Sequence, residues 1–414
     1  MKILMINKFL YPRGGAETYM LKLGEYFSRA GHQVEYFGMY DEKNTVGNSA
    51  GMYTSNMDFH GGGAERFLYP FKIIYSFEAK SKLGRVLDEF RPDVVHMNNI
   101  NFQLTPSVID AVKERGIPLV QTVHDYQMIC PNHLLYNLEE GAVCERCIQG
   151  SKWNCAKYKC IHGSRVKSII GSIEACLYRA RRTYEKVDRY ICPSRFLEDK
   201  LLSGGEMYRG KTEVIHNFIE LPDMAELAGA DERIKKGDYV VFFGRLSREK
   251  GVELIAEATR LMPDTVFKVA GSGELKSVLR GLDNVKLLGF LTGTELQSLI
   301  AEARVAVVPS IVYENCPLSI LEANTLGTPV VTVNVGGMAE LVEDGVTGAF
   351  VSELSGAGLA ETLRRVLADS AALERMSENC LARRKDMITL DKYCERVLGI
   401  YQSLQNEKIQ AHTV

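Results

Sequence analysis

Short apolar runs alternate with amphipathic stretches along this chain, and the alternation starts twice, once on each side of a loose segment from Leu221 to Gly237. In the first series Ile3–Ile6 has strand character, a Pro12-Arg13-Gly14-Gly15 loop follows, and a helix is expected near Ala16–Ala30, with Met20, Leu23, Phe27 and Ala30 at helical spacing. Gly31 can stop that helix, and Val34–Phe37 is the next strand, which closes one β–α–β unit. Asp93–Met97, Pro118–Val123 and Arg189–Cys192 read as further buried strands. The second series runs from a strand at Tyr239–Phe243 through a helix at Val252–Leu261 to strands at Thr265–Ala270 and Asn284–Leu288. Thr292-x-x-Glu295 has the form of a capping box for a helix through Ala303. Strands at Val305–Val308 and Val330–Val333 follow, with a helix opening at Pro317 between them. Such an order predicts a parallel sheet with helices on both faces. Right-handed crossovers collect the ligand loops at the carboxyl edge of the strands. Two series in 414 residues therefore predict an α/β protein of two Rossmann-like domains, 1–221 and 222–389, facing each other across a cleft. The stretch 390–414, with Tyr393, Val397, Ile400, Tyr401 and Leu404, reads as one more amphipathic helix.

Composition excludes several classes. Apolar content of 46% and charged content of 25% are those of an ordinary globular protein. A formal net charge of −2 implies no global attraction to nucleic acid or to a membrane. No run approaches the roughly 20 apolar residues that span a bilayer. The first residues read as a strand rather than a signal peptide, so a cytoplasmic location is expected. In that compartment ten cysteines argue against a disulfide framework.

Chemistry concentrates in the loops. Glu314 and Glu322 flank the start of the Pro317 helix, whose first-turn N–H groups and partial positive charge suit a phosphate. Pro317 cannot donate, so such contacts fall to Leu318 and Ser319. Phe242-Phe243-Gly244-Arg245-Leu246-Ser247-Arg248-Glu249-Lys250-Gly251 ends a strand with two cations five residues apart, Arg245 and Lys250. Both suit phosphate oxygens, although the loop taken in isolation reads better as a solvated basic turn. Gly271-Ser272-Gly273 ends another strand in the same half; a tight strand–helix turn requires glycine on steric grounds alone. Gly14-Gly15-Ala16-Glu17 opens the first helix, where backbone N–H groups can approach an anion. His124-Asp125 follows the Pro118–Val123 strand at its carboxyl end.

Glu314-x7-Glu322 with Gly327-Thr328-Pro329-Val330-Val331, taken together with the Gly244-Arg245-Leu246…Lys250-Gly251 element, resembles the retaining glycosyltransferases of the family-4 type, which include glycogen synthases and polysaccharide-biosynthesis enzymes. The resemblance extends from the glycine loop to Gly336-Gly337 and Asp344-Gly345, nearly the whole chain. It implies the GT-B fold, an acceptor-side first domain, a donor-side second domain, and a last helix packed back on the first domain. It implies a metal-independent hexosyl-type transfer from a nucleoside-diphosphate sugar to a glycan or polyprenyl-linked acceptor, as in cell-surface polysaccharide biosynthesis. His124, Glu314, Arg245 and Lys250 take catalytic roles in this reading, Arg245 and Lys250 on the diphosphate and His124 by the donor sugar. Gly14, Gly15, Gly244, Gly271, Gly273, Leu318, Ser319 and Glu322 fall on the donor, with Phe290–Leu291 near the base. Glu17 and Asp125 fall on the acceptor side. No D-x-D pair occurs to hold a metal on the diphosphate, and no cofactor is expected for catalysis. Retention is expected by front-face displacement, with Glu314 on the sugar hydroxyls and Glu322 on the ribose. Two departures bear on sugar recognition: Asn315-Cys316-Pro317 replaces the usual glycine-bearing loop, and Asn98-Asn99 stands where many relatives carry His. A nucleotide-sugar epimerase of the same architecture and a non-catalytic nucleotide-sugar-binding scaffold are the alternative readings.

An insert at about 130–185 carries Cys144-x2-Cys147-x7-Cys155-x4-Cys160, four thiols that could clasp a structural zinc. From Arg146 to Arg189 there are eleven Lys/Arg against three acids, with Trp153 among them. Such a patch suits anionic lipid headgroups, and peripheral binding to the inner membrane face is expected from it.

Overall fold

The computed structural model describes residues 1–56, 73–228 and 234–413. The chain divides into two compact units, Met1–His216 with Leu390–Val414, and Asn217–Thr389.

In the first unit β1 (Lys2–Ile6), β2 (Gln33–Phe37), β3 (Val94–Met97), β4 (Leu119–Thr122), β7 (Arg189–Cys192) and β8 (Thr212–Val214) form one parallel sheet, separate from the β5–β6 hairpin (Tyr136–Asn137 and Ala142–Val143). The spatial order is β2-β1-β3-β4-β7-β8. The winding reverses between β1 and β3, which opens a crevice beyond their carboxyl ends. The first helix spans Gly15–Arg29 and buries Tyr19, Met20, Leu23 and Phe27; Ala30, expected on that stripe, is an exposed cap. The last helix, Leu390–Thr413, belongs to this unit. Its Tyr393, Val397, Ile400, Tyr401 and Leu404 are buried, the stripe its periodicity predicts. A polar chain runs beneath it. Tyr19 Oη lies 2.9 Å from both Tyr393 Oη and Thr122 Oγ1, and His96 bridges Tyr401 Oη at 2.5 Å and Thr122 Oγ1 at 2.7 Å.

In the second unit β9 (Val240–Phe243), β10 (Phe267–Ala270), β11 (Val285–Gly289), β12 (Val305–Val308), β13 (Val330–Thr332) and β14 (Gly348–Phe350) order as β11-β10-β9-β12-β13-β14, all parallel. Val240, Val305, Val307 and Val331 on one face pack with Val252, Ile255 and Leu363 of the covering helices. The reversal here lies between β9 and β12, so the loops after these two strands share the crevice.

Three local expectations differ. Pro317 is the residue before the helix, extended at ψ 121°, and Leu318 begins it. Thr292 caps the Gly293–Ala301 helix by position but its hydroxyl makes no cap bond, so no capping box forms. The short strands β8 and β14 carry no clear alternation; they exist because each pairs with a neighbour already in the sheet.

Candidate active site

The second unit's site is built by backbone contacts between the loops after β9, β10 and β12. At Gly271 (φ 146°) a Cβ would stand 1.8 Å from Gly244 O, so only glycine lets the two strand ends approach so closely. Gly244 N donates to Ala270 O at 3.0 Å and Leu246 N to Ser272 O at 2.8 Å, which extends the pairing past the sheet. A Cβ on Gly273 would likewise meet Leu246 O at 2.3 Å. Lys250 closes a single turn after β9, and Gly251 (φ 72°) sits where a Cβ would meet Pro309 O at 2.0 Å. Ile311 N donates to Glu249 O at 3.0 Å. This packing delivers Lys250 Nζ to 2.5 Å from Glu314 Oε1. Ser310 Oγ donates to the same oxygen at 2.9 Å. Gly337 N holds Glu314 O at 2.7 Å, so three loops immobilise this residue. The Glu314 side chain retains 16% of its exposure and Lys250 31%, which leaves both reachable from the crevice.

Arg245 stands apart. Its side chain is 71% exposed and lies 3.6 Å from Glu249, so it does not join the Lys250–Glu314 pair. Leu318 and Ser319 occupy the first turn of the Leu318–Thr325 helix and are half-buried, as is Glu322 on the same helix. Cys316, unusual at its place in the motif, packs with Ile219 and Leu321, and burial pushes its thiol up to about 12. It is a core residue. Phe290 is 76% exposed and follows Gly289, whose carbonyl accepts from Gly271 N.

In the first unit Gly14 precedes the helix that Gly15 opens, and Glu17 is buried in its first turn, accepting from Asn7 Nδ2 at 3.3 Å. His124 follows β4; its ring meets Tyr19 edge-on at 5.2 Å, and its Nε2 lies 2.9 Å from Asn98 Oδ1. Asp125 accepts from Gln127 N at 2.9 Å and from Asn101 Nδ2 at 2.7 Å. Lys8 Nζ donates to Asn101 Oδ1 at 3.2 Å; burial lowers its pKa, while Asp125 and Glu17 pull it back up. Asn7, Lys8 and Asn101 were not among the expected site residues, and Asn98 entered only as a departure from the family pattern. Their signal was available: each lies within four residues of a strand's carboxyl end on either side of the crevice.

Burial lowers the His124 pKa to about 4 against the pull of Asp125, and burial followed by the His124 charge lowers that of His96 to about 3. His124 is therefore a neutral hydrogen-bonding group at pH 7. Both folded values lie below the ordinary 6.5, so the unfolded chain takes up protons first as pH falls. Their contribution to stability is complete above about pH 6.5 and is lost on the way down to about 4 for His124 and about 3 for His96, on the order of a few kcal/mol each. Urea melts between pH 7 and 4.5 are expected to show falling stability that a His96→Gln variant shows less steeply.

Of the four expected zinc thiols, Cys147, Cys155 and Cys160 pack together as a buried cluster with Tyr158 and Ile161, while Cys144 is half-buried after the β5–β6 hairpin. Cys160 and burial together raise the Cys155 pKa. Among the described residues no group of three or more His, Cys, Asp or Glu is arranged to hold a metal ion. Within the basic insert Arg146, Arg181, Arg182, Lys186 and Arg189 are spent on carboxylates. Trp153 and Val166 are exposed. No helix among the described residues is long and apolar enough to cross a membrane.

Residues 13–222 match the family model described as Glycosyltransferase Family 4, and residues 225–383 match that of Glycosyl transferases group 1. An uncharacterized protein in the cps region of Klebsiella pneumoniae is 26% identical over 82% of this chain and 87% of its own length. The UDP-Gal:alpha-D-GlcNAc-diphosphoundecaprenol alpha-1,3-galactosyltransferase of Escherichia coli is 30% identical over 51% of this chain and 59% of its own. The crystal structure of Anabaena HepE in complex with UDP and glucose superposes with a TM-score of 0.67 at 19% identity, covering 97% of this chain and 100% of that one.

Proposed function

Because this chain belongs to glycosyltransferase family 4, we propose that it moves a hexosyl group from a nucleoside-diphosphate sugar to a glycan or polyprenyl-linked acceptor, with retained configuration and no catalytic metal. The chain is a glycosyltransferase of the GT-B type. The single observation that carries the finer reading is the Lys250–Glu314 pair at 2.5 Å, held at the switch point of the second sheet beside the Gly244 and Gly271 turns.

In this reading the ammonium of Lys250 turns from Glu314 to the diphosphate when the donor binds, and Arg245, exposed in the free protein, closes on the same phosphates. First-turn N–H groups of Leu318 and Ser319 add donors. These groups offset the charge that develops on the leaving oxygen, the kind of contact whose loss costs about 10²–10³ in rate. Glu314, released from Lys250, accepts from sugar hydroxyls, and Glu322 from the ribose. The acceptor hydroxyl attacks the face the diphosphate leaves, and a leaving-group oxygen takes its proton. Neutral His124, whose Nε2 faces Asn98 Oδ1 in the free protein, serves as an orienting hydrogen-bonding group for the sugar. The Escherichia relative, whose name gives a diphosphoundecaprenol-linked acceptor, supports a lipid-linked acceptor here.

Incubating the protein with UDP-hexoses, with and without lipid-linked oligosaccharide, tests this. The expected result is donor-dependent thermal stabilisation and, with acceptor present, an alpha-linked product seen by NMR. Conversion of the sugar with donor alone would instead make it an epimerase. Exposed Trp153 and Val166 beside Lys157, Arg165 and Lys167 support docking on anionic lipid. Flotation with phosphatidylglycerol vesicles is expected to carry the protein up in low salt, and Trp153→Ser with Lys167→Glu to leave it behind.

A further inference from the structure

A cavity of about 250 Å³ lies in the first unit, lined in part by the 124–133 loop that follows β4. A single water needs only about 10–15 Å³ of such space, so the cavity is far larger than a hydration site. Two of its lining side chains are buried and incomplete. Glu174 is 4% exposed and its Oε1 has no partner; His133 is 7% exposed and its Nε2 has none. Buried polar atoms of native proteins are paired as a rule, and those left open in a cavity this large mark where a bound group supplies the partner.

The cations on the wall are already used. Lys152 Nζ donates to Ile129 O at 2.7 Å and Cys147 O at 2.6 Å, Arg182 pairs with Glu185, and Arg179 reaches Gly150 O. Of these cations Arg182 is matched by a carboxylate, while Lys152 and Arg179 give their donors to backbone carbonyls. Burial pushes Glu174 up to about 8 and lowers His133, so both are neutral at pH 7. Because His133 Nδ1 accepts from Asn101 Nδ2, its Nε2 carries the proton and donates, while the neutral Glu174 carboxyl can accept; the group that answers both at once is a hydroxyl, which accepts from Nε2–H and donates to the carboxyl. Tyr178, Tyr184, Met128 and Met207 supply apolar walls. The cavity is also tied to the candidate acceptor side. Asn101 Nδ2 spans Asp125 Oδ2 at 2.7 Å and His133 Nδ1 at 3.0 Å, so one amide holds both ends of the intervening loop.

We propose that this cavity is a subsite for a neutral pyranosyl unit of the acceptor glycan, held by hydroxyl contacts to Glu174 and His133. The assignment rests on the glycosyltransferase reading above. It is tested on the full chain by saturation-transfer NMR with methyl α-D-gluco-, galacto- and mannopyranoside, beside a UDP thermal shift. At least one glycoside is expected to bind. Glu174→Leu, which removes the hydrogen bond, and Ala175→Phe, which fills the space, are expected to weaken it about tenfold or more. Glu174→Gln keeps a neutral hydrogen-bonding group and is expected to stay within about threefold. Should Ala175→Phe not fold, Ala175→Leu fills less of the cavity and takes its place. Absence of binding by all three glycosides means the cavity holds water alone and overturns the proposal, as does unchanged binding in Ala175→Phe or Glu174→Leu. If UDP stabilises the protein in either of those cases, only this subsite falls; if UDP also fails, the donor reading falls with it.

Discussion

Lys250→Met is expected to lower kcat/KM by about 10²–10³-fold and to shrink the thermal shift given by a nucleoside diphosphate. Glu314→Gln is expected to lower turnover as much while leaving that shift nearly intact. The contrast follows from the geometry. Lys250 and Glu314 satisfy each other at 2.5 Å while the site is free, and they separate onto different parts of the donor when it is bound. The cation goes to the diphosphate, which a free nucleotide also carries; the carboxylate goes to the sugar, which a free nucleotide lacks. Lys250→Arg is not expected to rescue, because the fork of a guanidinium does not reproduce a compact ammonium at a place shaped by Pro309, Gly251 and Ser310. Both variants should fold, since Ser310 and Gly337 still hold Glu314 and neither partner lies in the core. Near-normal turnover by either variant, with folding verified by circular dichroism, would remove the pair from the mechanism.

Deleting Leu390–Val414 is expected to abolish cooperative folding of the first unit. Five side chains of this helix, Tyr393, Val397, Ile400, Tyr401 and Leu404, are buried at 6% exposure or less. At about 1.5–3 kcal/mol for each buried apolar side chain, their removal costs roughly 8–15 kcal/mol, an upper range because the unfolded chain also hides some surface. That matches the whole stability of a typical domain, about 5–15 kcal/mol. Loss of Tyr401 also leaves His96 without one of its two partners inside the sheet. Tyr401→Ala in the full chain is the graded version and should cost about 3–5 kcal/mol in urea unfolding. Hydrogen exchange is the discriminating readout: faster exchange is expected in the Met1–His216 strands that lie under the helix. Unchanged protection there after truncation would mean the contacts add little.

Much of this architecture was legible in advance, for a definite reason. Strands such as Val305–Val308 and Arg189–Cys192 are buried on both faces of a parallel sheet, so they read as continuous apolar runs whatever their neighbours. The Val252–Leu261 helix and the stripe on Leu390–Thr413 are set by periodicity alone. What escaped was either local chemistry or short-range dependence on context. Thr292 has the right neighbours for a capping box and makes no such bond; β8 and β14, three residues each, are strands only because a sheet edge was waiting for them.

The same division holds at the site. Residue types and spacings singled out Glu314, Lys250, Gly244 and Gly271 as candidates, and the resemblance to family-4 glycosyltransferases gave them donor roles, since a basic turn and a glycine at a strand end have structural readings of their own. They could not say that Lys250 and Glu314, 64 residues apart, touch while Arg245, nearer in sequence to the strand, turns outward. That choice is made by strand order: placing β12 beside β9 lets Gly251 dock on Pro309 and carries Lys250 with it. Nor could sequence reveal that His124 is neutral, or that Glu174 and His133 face one cavity. A pKa and an unpaired atom depend on what surrounds a side chain in space, and the chain acquires those surroundings only when distant segments pack.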